Sequence, residues 1–298
     1  MNTQLIELRT LAAKAENRRT ETGIPRVAMV QGAIPEHMLA AVYEPMINLI
    51  LQGSKSMTVG DRTLRYDPAT YFVMSIELPA VGTVHPAASG EPYLAVSLTL
   101  DPTVLATLLG DLPKPAGRYD REAGFSVAAV TPELMDAWLR LLRLMGNPEA
   151  ITALAPVYER EILYRVLQGP HGWMLREIAA PDTAMARVSQ AIQWIRRDFA
   201  EPIRVEALAQ KAAMSVSAFH RHFKAVTNLS PLQYQKRVRL LQARTLMVAS
   251  AKNVTSAAFE VGYESPTQFS RDYARVFGLP PARDAARILG ESRTPKAK

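Results

Sequence analysis

The sequence contains no cysteine. This absence excludes disulfide bonds, thiolate zinc sites and cysteine-based redox sensing. The chain also lacks an uncharged apolar run of about 18 residues and a basic-then-apolar leader, and these two absences predict a soluble, unexported protein without a membrane partner. A cytoplasmic location is consistent with them.

Histidine is scarce, with five residues in a chain of 298. The β-rich N-terminal part offers only His37 and His85, without a His-x-His pair near a carboxylate, so a three-ligand metal site is not expected there. His220 and His222 would point to different faces of a helix. Nucleophile elbows, phosphate loops and paired-carboxylate patterns are also missing from the sequence. We therefore expect no metal, no cofactor and no enzymatic activity.

Positive charge is distributed unevenly along the chain. Residues 186–298 hold 19 Lys or Arg and 8 Asp or Glu, a net charge of +11, whereas residues 1–185 hold 16 and 20, a net charge of −4. Such asymmetry is typical of a basic part that binds a polyanion, either nucleic acid or an anionic membrane surface. A solvated basic face without a partner would also explain the charge when it is considered alone.

Short stretches rich in Val, Ile, Tyr and Met occupy much of residues 26–100, between Gly, Pro and Asp turn signals. Residues 57–66 predict a hairpin whose turn lies at Gly60 and Asp61. An amphipathic helix is predicted before the strands, over residues 3–17. The pattern predicts an α+β protein with a small N-terminal β-barrel and flanking helices. The predicted strands cover residues 26–31, 46–52, 56–59, 63–66, 71–75, 81–85 and 93–100.

Helices follow these strands. Asp101-Pro102 predicts a helix start, and Thr131-Pro132 opens a helical segment over about 131–168 by the same chemistry. Pro156 predicts a kink or a division within that segment. These helices either cap the barrel or form the seam of a dimer.

Glycine and proline mark the boundary that follows the helical segment. We therefore divide the chain into an N-terminal domain over residues 1–170, a linker over 171–185, a basic all-α domain over 186–290 and a flexible tail over 291–298.

One segment of the basic domain occurs twice, fifty residues apart. Each copy follows a short apolar stretch and a serine, Ser215 or Ser265, that is suited to cap a helix. The repeat predicts two helix-turn-helix units in which the matched aromatic residues are buried. The matched pairs are Phe219 and Phe269, Arg221 and Arg271, Phe223 and Tyr273, Val226 and Val276, Leu229 and Leu279, and Pro231 and Pro281.

Polar and basic residues are offset from the aromatic stripe on the second helix of each unit. Side chains of these types read base edges or contact phosphates. A solvated helix face is the alternative for any one of them, but basic outward faces in both copies favour DNA binding. The predicted DNA-contacting residues are Ser217, His220, Arg221, Lys224, Thr267, Gln268, Arg271 and Arg275.

The segment between the copies, from Pro231 to Ala249, contains no internal helix breaker and predicts one basic amphipathic helix. A helix of this length spans about 28 Å at ~1.5 Å per residue, close to the ~34 Å turn of duplex DNA. It could hold the two units in adjacent major grooves. A membrane-binding protein would explain the charge but not the repeat or this spacing.

The stretch Gly262-Tyr-Glu-Ser-Pro-Thr-Gln-Phe-Ser-Arg-Asp-Tyr-Ala-Arg-Val-Phe-Gly-Leu-Pro-Pro281, within residues 186–288, closely resembles the double helix-turn-helix domain of AraC/XylS-type transcription regulators. Pro266 stands where relatives often carry a polar reader, which implies fewer contacts in the second unit. By this resemblance the base contacts fall on Ser217, His220, Arg221, Thr267, Gln268 and Arg271.

Four N-terminal motifs also resemble the companion domain of one AraC subfamily, which is usually a cupin-like sensor. They are Tyr43-Glu-Pro45, Leu51-Gln-Gly53, Gly60-Asp-Arg62 and Pro92-Tyr-Leu-Ala95. The resemblance implies a homodimer that binds double-stranded DNA and an unknown small-molecule effector, with RNA polymerase as a further candidate partner. The alternative is a regulator whose barrel only dimerises. The candidate pocket residues are Met46, Asn48, Met74, Glu77, His85 and Tyr93.

Overall fold

The computed structural model describes residues 2–32, 39–113, 124–180 and 183–293. His37, one of the two N-terminal histidines considered above, lies outside these residues. The described strands are β1 (Thr20–Glu21), β2 (Val27–Gln31), β3 (Ala40–Tyr43), β4 (Met46–Gln52), β5 (Ser54–Val59), β6 (Arg62–Tyr66), β7 (Thr70–Met74), β8 (Leu78–His85), β9 (Leu94–Thr99) and β10 (Phe125–Ala129).

These strands form two antiparallel sheets. The larger has the order β1-β2-β9-β4-β7-β10, and the smaller has the order β3-β8-β5-β6. Side chains of both sheets share one hydrophobic core, including Ile47 of the larger sheet and Met57 and Val59 of the smaller. The predicted α+β fold with a small N-terminal β domain is therefore confirmed, and the strands of this domain lie in two antiparallel sheets. The hairpin is confirmed as well, because β5 pairs with β6 across Gly60 and Asp61.

Strands β1, β3 and β10 were not predicted. The five residues of β10 follow a helix and pair with β7, from Phe125 opposite Met74 to Ala129 opposite Thr70. A pairing between strands so far apart in sequence has no local signature, and a stretch that ends in two alanines has only weak strand propensity.

Twelve helices complete the described residues. They are α1 (Asn2–Ala12), α2 (Pro102–Gly110), α3 (Pro132–Arg143), α4 (Pro148–Gln168), α5 (Gly172–Ala179), α6 (Ala184–Arg197), α7 (Val205–Lys211), α8 (Val216–Thr227), α9 (Pro231–Ala249), α10 (Val254–Glu260), α11 (Pro266–Phe277) and α12 (Pro281–Arg293), and a single 3-10 turn, Leu144–Gly146, joins α3 to α4. No described helix is long and apolar enough to cross a membrane.

Helix α4 continues through Pro156, so the proline does not divide it. Proline removes one backbone hydrogen bond from a helix. Burial of Ile162, Leu163 and Val166 along the same helix compensates for that loss, because each buried aliphatic side chain contributes about 1.5–3 kcal/mol.

The predicted linker, residues 171–185, contains helix α5. Trp173, Met174 and Leu175 are buried, and the helix contacts α2 and α4. We predicted a linker because glycine and proline lie at the ends of the segment, and the short apolar stretch between them was not recognised as a helix. At the C-terminus, α12 continues to Arg293 inside the predicted tail, and residues 294–298 lie outside the described residues.

Two helix-turn-helix units occupy the C-terminal part, as the repeat predicted. Helices α7 and α8 form the first unit, and α10 and α11 form the second. Helix α9 joins them and has the predicted bounds, Pro231–Ala249. We call α8 and α11 the recognition helices.

Candidate nucleic-acid interface and barrel cavity

Both recognition helices begin at a serine N-cap and end at a residue with left-handed backbone. The Ser215 hydroxyl accepts a hydrogen bond from the Ala218 amide at 3.3 Å, and the Ser265 hydroxyl accepts one from the Gln268 amide at 3.4 Å. Such N-caps satisfy amide groups that the first helical turn leaves unpaired. Each helix then ends at a residue with left-handed backbone, Asn228 at φ 59° or Gly278 at φ 77°.

The matched aromatic residues orient each recognition helix. The rings of Phe219 and Phe223 lie 5.5 Å apart at 56°, and the rings of Phe269 and Tyr273 have the same separation and angle. All four side chains are completely buried. The prediction that the repeated aromatics form the cores of two equivalent units is therefore confirmed.

The opposite faces of these helices are open to solvent. Arg221 and Arg271 occupy equivalent positions and form no salt bridge with any residue in the described part of the chain. Arg275 lies 3.8 Å from the Asp272 carboxylate, at the limit of an ion pair. All eight predicted DNA-contacting residues are exposed: Ser217, His220, Arg221, Lys224, Thr267, Gln268, Arg271 and Arg275.

Two of these residues, Lys224 and Arg275, line one cleft of about 370 Å³. Lys236 and Arg237 of α9 line the same cleft, and so does Asp61 from the hairpin turn of the β domain. The structure therefore brings the C-terminal ends of the two recognition helices to a common basic surface. One acidic side chain from the other domain lies beside it.

Several basic residues of α9 stabilise the fold instead of facing solvent. The Arg239 guanidinium donates hydrogen bonds to the carbonyl oxygens of Phe199 at 2.7 Å, Gly262 at 2.8 Å and Ala200 at 2.9 Å. These bonds tie the α6–α7 connection to the turn of the second unit. The guanidinium is thus occupied by internal carbonyl groups.

A buried ion pair links α9 to α12. Arg244 contacts Asp284 at 2.9 Å, and the Tyr273 hydroxyl donates to the same carboxylate at 2.8 Å. Burial, together with this carboxylate, raises the pKa of Tyr273. Arg239 and Arg244 therefore contribute to the net charge of the domain without being available to DNA, and the charge count alone did not reveal this.

The first unit also packs against the β domain. The Asn228 side-chain amide donates to the Val59 carbonyl at 3.0 Å and to the Asp61 carboxylate at 2.5 Å. Gly60 has φ +64°, and a β-carbon there would lie 2.8 Å from the Asn228 carbonyl oxygen. This position thus requires glycine for both conformation and space. The predicted hairpin turn is therefore one contact between the two domains.

A second contact between the domains involves Glu77. Its carboxylate forms an ion pair with Arg196 of α6, and its carbonyl accepts a hydrogen bond from the Tyr234 hydroxyl of α9 at 3.0 Å. Burial raises the pKa of Tyr234, and the Glu77 carboxylate reinforces the shift. Arg196, Tyr234 and Asn228 were not singled out in the sequence, because contacts between domains leave no periodic pattern.

The β domain contains a cavity of about 570 Å³. Of the six candidate pocket residues, Met46, Asn48 and Tyr93 line it. The Asn48 amide donates to the Val96 carbonyl at 3.3 Å, and its oxygen accepts from the Tyr66 hydroxyl at 3.1 Å. The Tyr93 hydroxyl is buried and has no hydrogen-bond partner among the described residues.

The other three candidates do not line this cavity. Met74 is completely buried in the core. Glu77 forms the contact between domains described above. The His85 ring lies 3.2 Å from the Ser56 hydroxyl. The position of a residue on a predicted strand did not show whether its side chain lines the cavity, packs in the core or contacts the other domain.

Lys55 also lines the cavity and was not predicted. It lies on the same face of β5 as Met57 and Val59, which follow at intervals of two residues and are completely buried. Because side chains alternate across a strand, this period of two was a signal that Lys55 points inward. Its ammonium lies 5.1 Å from the centroid of the Tyr43 ring, and burial lowers the pKa of Lys55 to about 8.

Comparison with known families and structures is consistent with this arrangement. Residues 23–174 match the family described as the N-terminus of AraC-type transcriptional regulators, and residues 208–287 match a helix-turn-helix domain family. The first match alone covers just over half of the chain.

Curated relatives include two proteins named HTH-type transcriptional activator RhaS. The one from Escherichia fergusonii is 35% identical over 145 residues, which are 47% of this chain and 51% of that protein. The one from Klebsiella pneumoniae is 34% identical over 143 residues, which are 47% of this chain and 49% of that protein. The chain thus spans about half the length of the curated relatives it matches.

Solved structures with a similar fold include ToxT from Vibrio cholerae. An apo variant of ToxT has a TM-score of 0.56 at 9% identity and covers 90% of this chain and 99% of its own. ToxT bound to an unsaturated fatty acid has a TM-score of 0.56 at 10% identity and covers 87% of this chain and 93% of its own. At this identity the likeness concerns the fold alone.

Proposed function

Because the chain belongs to the AraC-type transcriptional regulators, we propose that it binds specific double-stranded DNA sequences through two helix-turn-helix units in adjacent major grooves. The observation that carries this proposal is the pair of exposed recognition faces, built on aromatic pairs of the same geometry within a C-terminal part, residues 186–298, of net charge +11. Arg221 and Arg271 would read bases, since arginine pairs with the guanine edge in the major groove.

The test is selection of bound fragments from genomic DNA by the full chain, followed by affinity measurements on a selected site. Affinity for this site should exceed that for a scrambled duplex by at least about 1,000-fold. With four or more phosphate contacts, it should fall by at least about 100-fold between 50 and 200 mM salt. Equal affinity for both duplexes would contradict sequence-specific recognition.

We also propose that the cavity of the β domain binds a small-molecule effector. Its volume of about 570 Å³ is within the ~300–1,000 Å³ range of small-molecule sites, and apolar side chains alternate with a few polar groups in its wall. The fatty acid bound to ToxT supports such a role for this fold. Thermal unfolding of the full chain with aldehydes, aromatics and sugars tests it.

The alternative is a β domain that serves only to dimerise the regulator. Leu154, Val157 and Tyr164 expose an apolar stripe on one side of α4, with 38%, 56% and 37% of each residue accessible. We propose that a homodimer forms through this stripe. Val157→Glu should then yield a monomer in light scattering, whereas Glu149→Gln at the start of the same helix should leave the dimer intact. Dimerisation without stabilisation by any small molecule would favour the alternative.

RNA polymerase is a further proposed partner, on the basis of the family alone. Run-off transcription from a selected site with purified polymerase tests this proposal. Transcript yield that does not change when the protein is added would count against it.

A further inference from the structure

Lys55 is a buried cation at the wall of the barrel cavity. Only 6% of the residue is accessible, and its ammonium lies over the ring of Tyr43 on β3. Gly82 of β8 lies directly beside its side chain, because a β-carbon there would be 2.9 Å from the Lys55 Cε atom. The aliphatic part of the lysine is thus packed between neighbouring strands, and its ammonium lies at the cavity wall.

No carboxylate of the described residues forms a salt bridge with Lys55, and its ammonium has no described hydrogen-bond partner. The other charged residues of the cavity are Glu44, Arg18 and Arg19. Arg18 is paired with Glu16 and Arg19 with Glu21. Buried lysines are normally paired, because desolvation disfavours an isolated charge. Glu44 lines the same cavity but forms no ion pair with Lys55, so among the described residues no carboxylate contacts this ammonium.

Tyr93 supplies a second unsatisfied group in the same wall. Its hydroxyl is buried without a partner in the described part of the chain. Buried polar groups in proteins are nearly always hydrogen-bonded. An unpaired ammonium and an unpaired hydroxyl donor in one cavity are complementary to a ligand that carries a negative charge and accepts two hydrogen bonds.

We propose that Lys55 anchors the effector, and that the effector is a small monocarboxylate whose carboxylate pairs with the Lys55 ammonium while its apolar body contacts Met29, Met46 and Ala95. This inference rests on the proposed effector site and specifies its ligand class. A carboxylate fits better than a phosphate, because phosphates are generally held by bidentate arginines or several donors, and both arginines of the cavity are already paired.

A pH dependence follows from this pairing. In the free protein the pKa of Lys55 is lowered to about 8 by burial, whereas a bound carboxylate favours the charged form and raises that pKa. Burial raises the pKa of Tyr43 and Tyr93, so both are neutral in this range. Carboxylate affinity should be highest below pH 8 and should fall about tenfold between pH 7 and pH 9, with proton uptake on binding above pH 8.

The experiment compares carboxylates with their neutral amides on the full chain. Hexanoate, octanoate, benzoate and phenylacetate are each paired with the corresponding primary amide, and binding is measured by calorimetry and by thermal unfolding. At least one carboxylate should bind at least tenfold more tightly than its amide. Its affinity should fall with pH as stated, while that of the amide should not.

Lys55→Met tests the anchor directly, because methionine keeps an unbranched side chain of similar length and removes the charge. This variant should lose at least tenfold in carboxylate affinity and keep its amide affinity, and its ligand-free unfolding temperature should rise. Lys14→Met is the matched control at an exposed lysine outside the cavity, and it should change neither property.

The outcomes separate this inference from the proposed function. Equal binding of carboxylates and amides, or unchanged carboxylate affinity in Lys55→Met, would overturn the anionic ligand class and leave the effector site intact. A covalent adduct with an aldehyde that borohydride traps at Lys55 would overturn it too, because imine formation uses the neutral amine. If no panel member binds, the inference also fails. DNA binding by the same samples tests the regulator function independently.

Discussion

The two helix-turn-helix units have the same local structure but different surroundings. Their recognition helices have 12 residues each, and the aromatic pairs in their cores share one geometry. At the equivalent helix ends, however, Asn228 of the first unit contacts the β domain, whereas a β-carbon at Gly278 of the second would meet nothing within 4 Å. The repeated residues therefore give the two units the same local fold. The difference between Asn228 and Gly278 contributes to joining only the first unit to the β domain at this helix end.

This asymmetry indicates where an effector signal would enter the DNA-binding domain. Val226 and Leu229 of the first unit are buried, whereas their equivalents Val276 and Leu279 are only partly buried. The Gly124 amide also donates to the Val226 carbonyl at 2.7 Å. We expect changes in the β domain to alter the first unit through these direct contacts, and the second unit mainly through α9.

The largest expected effects test whether the cores are equivalent. Phe219→Ala and Phe269→Ala should each lower the free energy of unfolding by about 3–5 kcal/mol, because a completely buried aromatic ring is replaced by a cavity. Chemical denaturation of the full chain measures both. A difference of more than about 2 kcal/mol between the variants would show that the two cores do not contribute equally.

The next largest effects concern DNA affinity. Arg221→Ala and Arg271→Ala should each weaken binding to a selected site by about 1–3 kcal/mol and relax specificity at different base pairs. Fluorescence anisotropy with duplexes mutated at single positions measures both effects. Unchanged affinity in either variant would remove that unit from the assigned readout, while Lys252→Ala, outside both recognition helices, serves as control.

A smaller effect is expected where the two units differ. Asn228→Gly places the residue of the second unit in the first, which removes two hydrogen bonds worth about 0.5–1.5 kcal/mol each but relieves the left-handed backbone. The free energy of unfolding should therefore fall by no more than about 2 kcal/mol, while amide hydrogen exchange at residues 59–62 should accelerate. Gly278→Asn should leave exchange there unaltered, and equal acceleration in both variants would contradict a contact specific to the first unit.

The smallest expected effect concerns the basic cleft between the units. Lys224→Ala should weaken binding to all sequences alike and reduce the salt slope by about one, as expected for a phosphate contact. Anisotropy at several salt concentrations measures the slope. A change in base preference with an unchanged slope would assign Lys224 to base readout instead.

Local patterns in the sequence predicted most of the DNA-binding domain. The repeated aromatics, the serine caps and the bounds of α9 depend on neighbours within a few residues, because helix geometry brings positions three and four apart together. The exposure of all eight predicted DNA-contacting residues follows from the same periodicity. By itself, the sequence therefore determined two matched units and the spacing between them.

Only the tertiary structure decided how these parts are used. The pairing of β10, the burial of α5, the occupation of Arg244 by Asp284 and the contact of Asn228 with the β domain join segments that are far apart in sequence. Lys55 illustrates the difference between what the local sequence pattern predicts and what tertiary packing decides. Its position two residues before the buried Met57 on β5 indicated an inward side chain. Only the packing of neighbouring strands decided that no carboxylate contacts its ammonium. The reason is that burial and ion-pair partners depend on every element around a cavity.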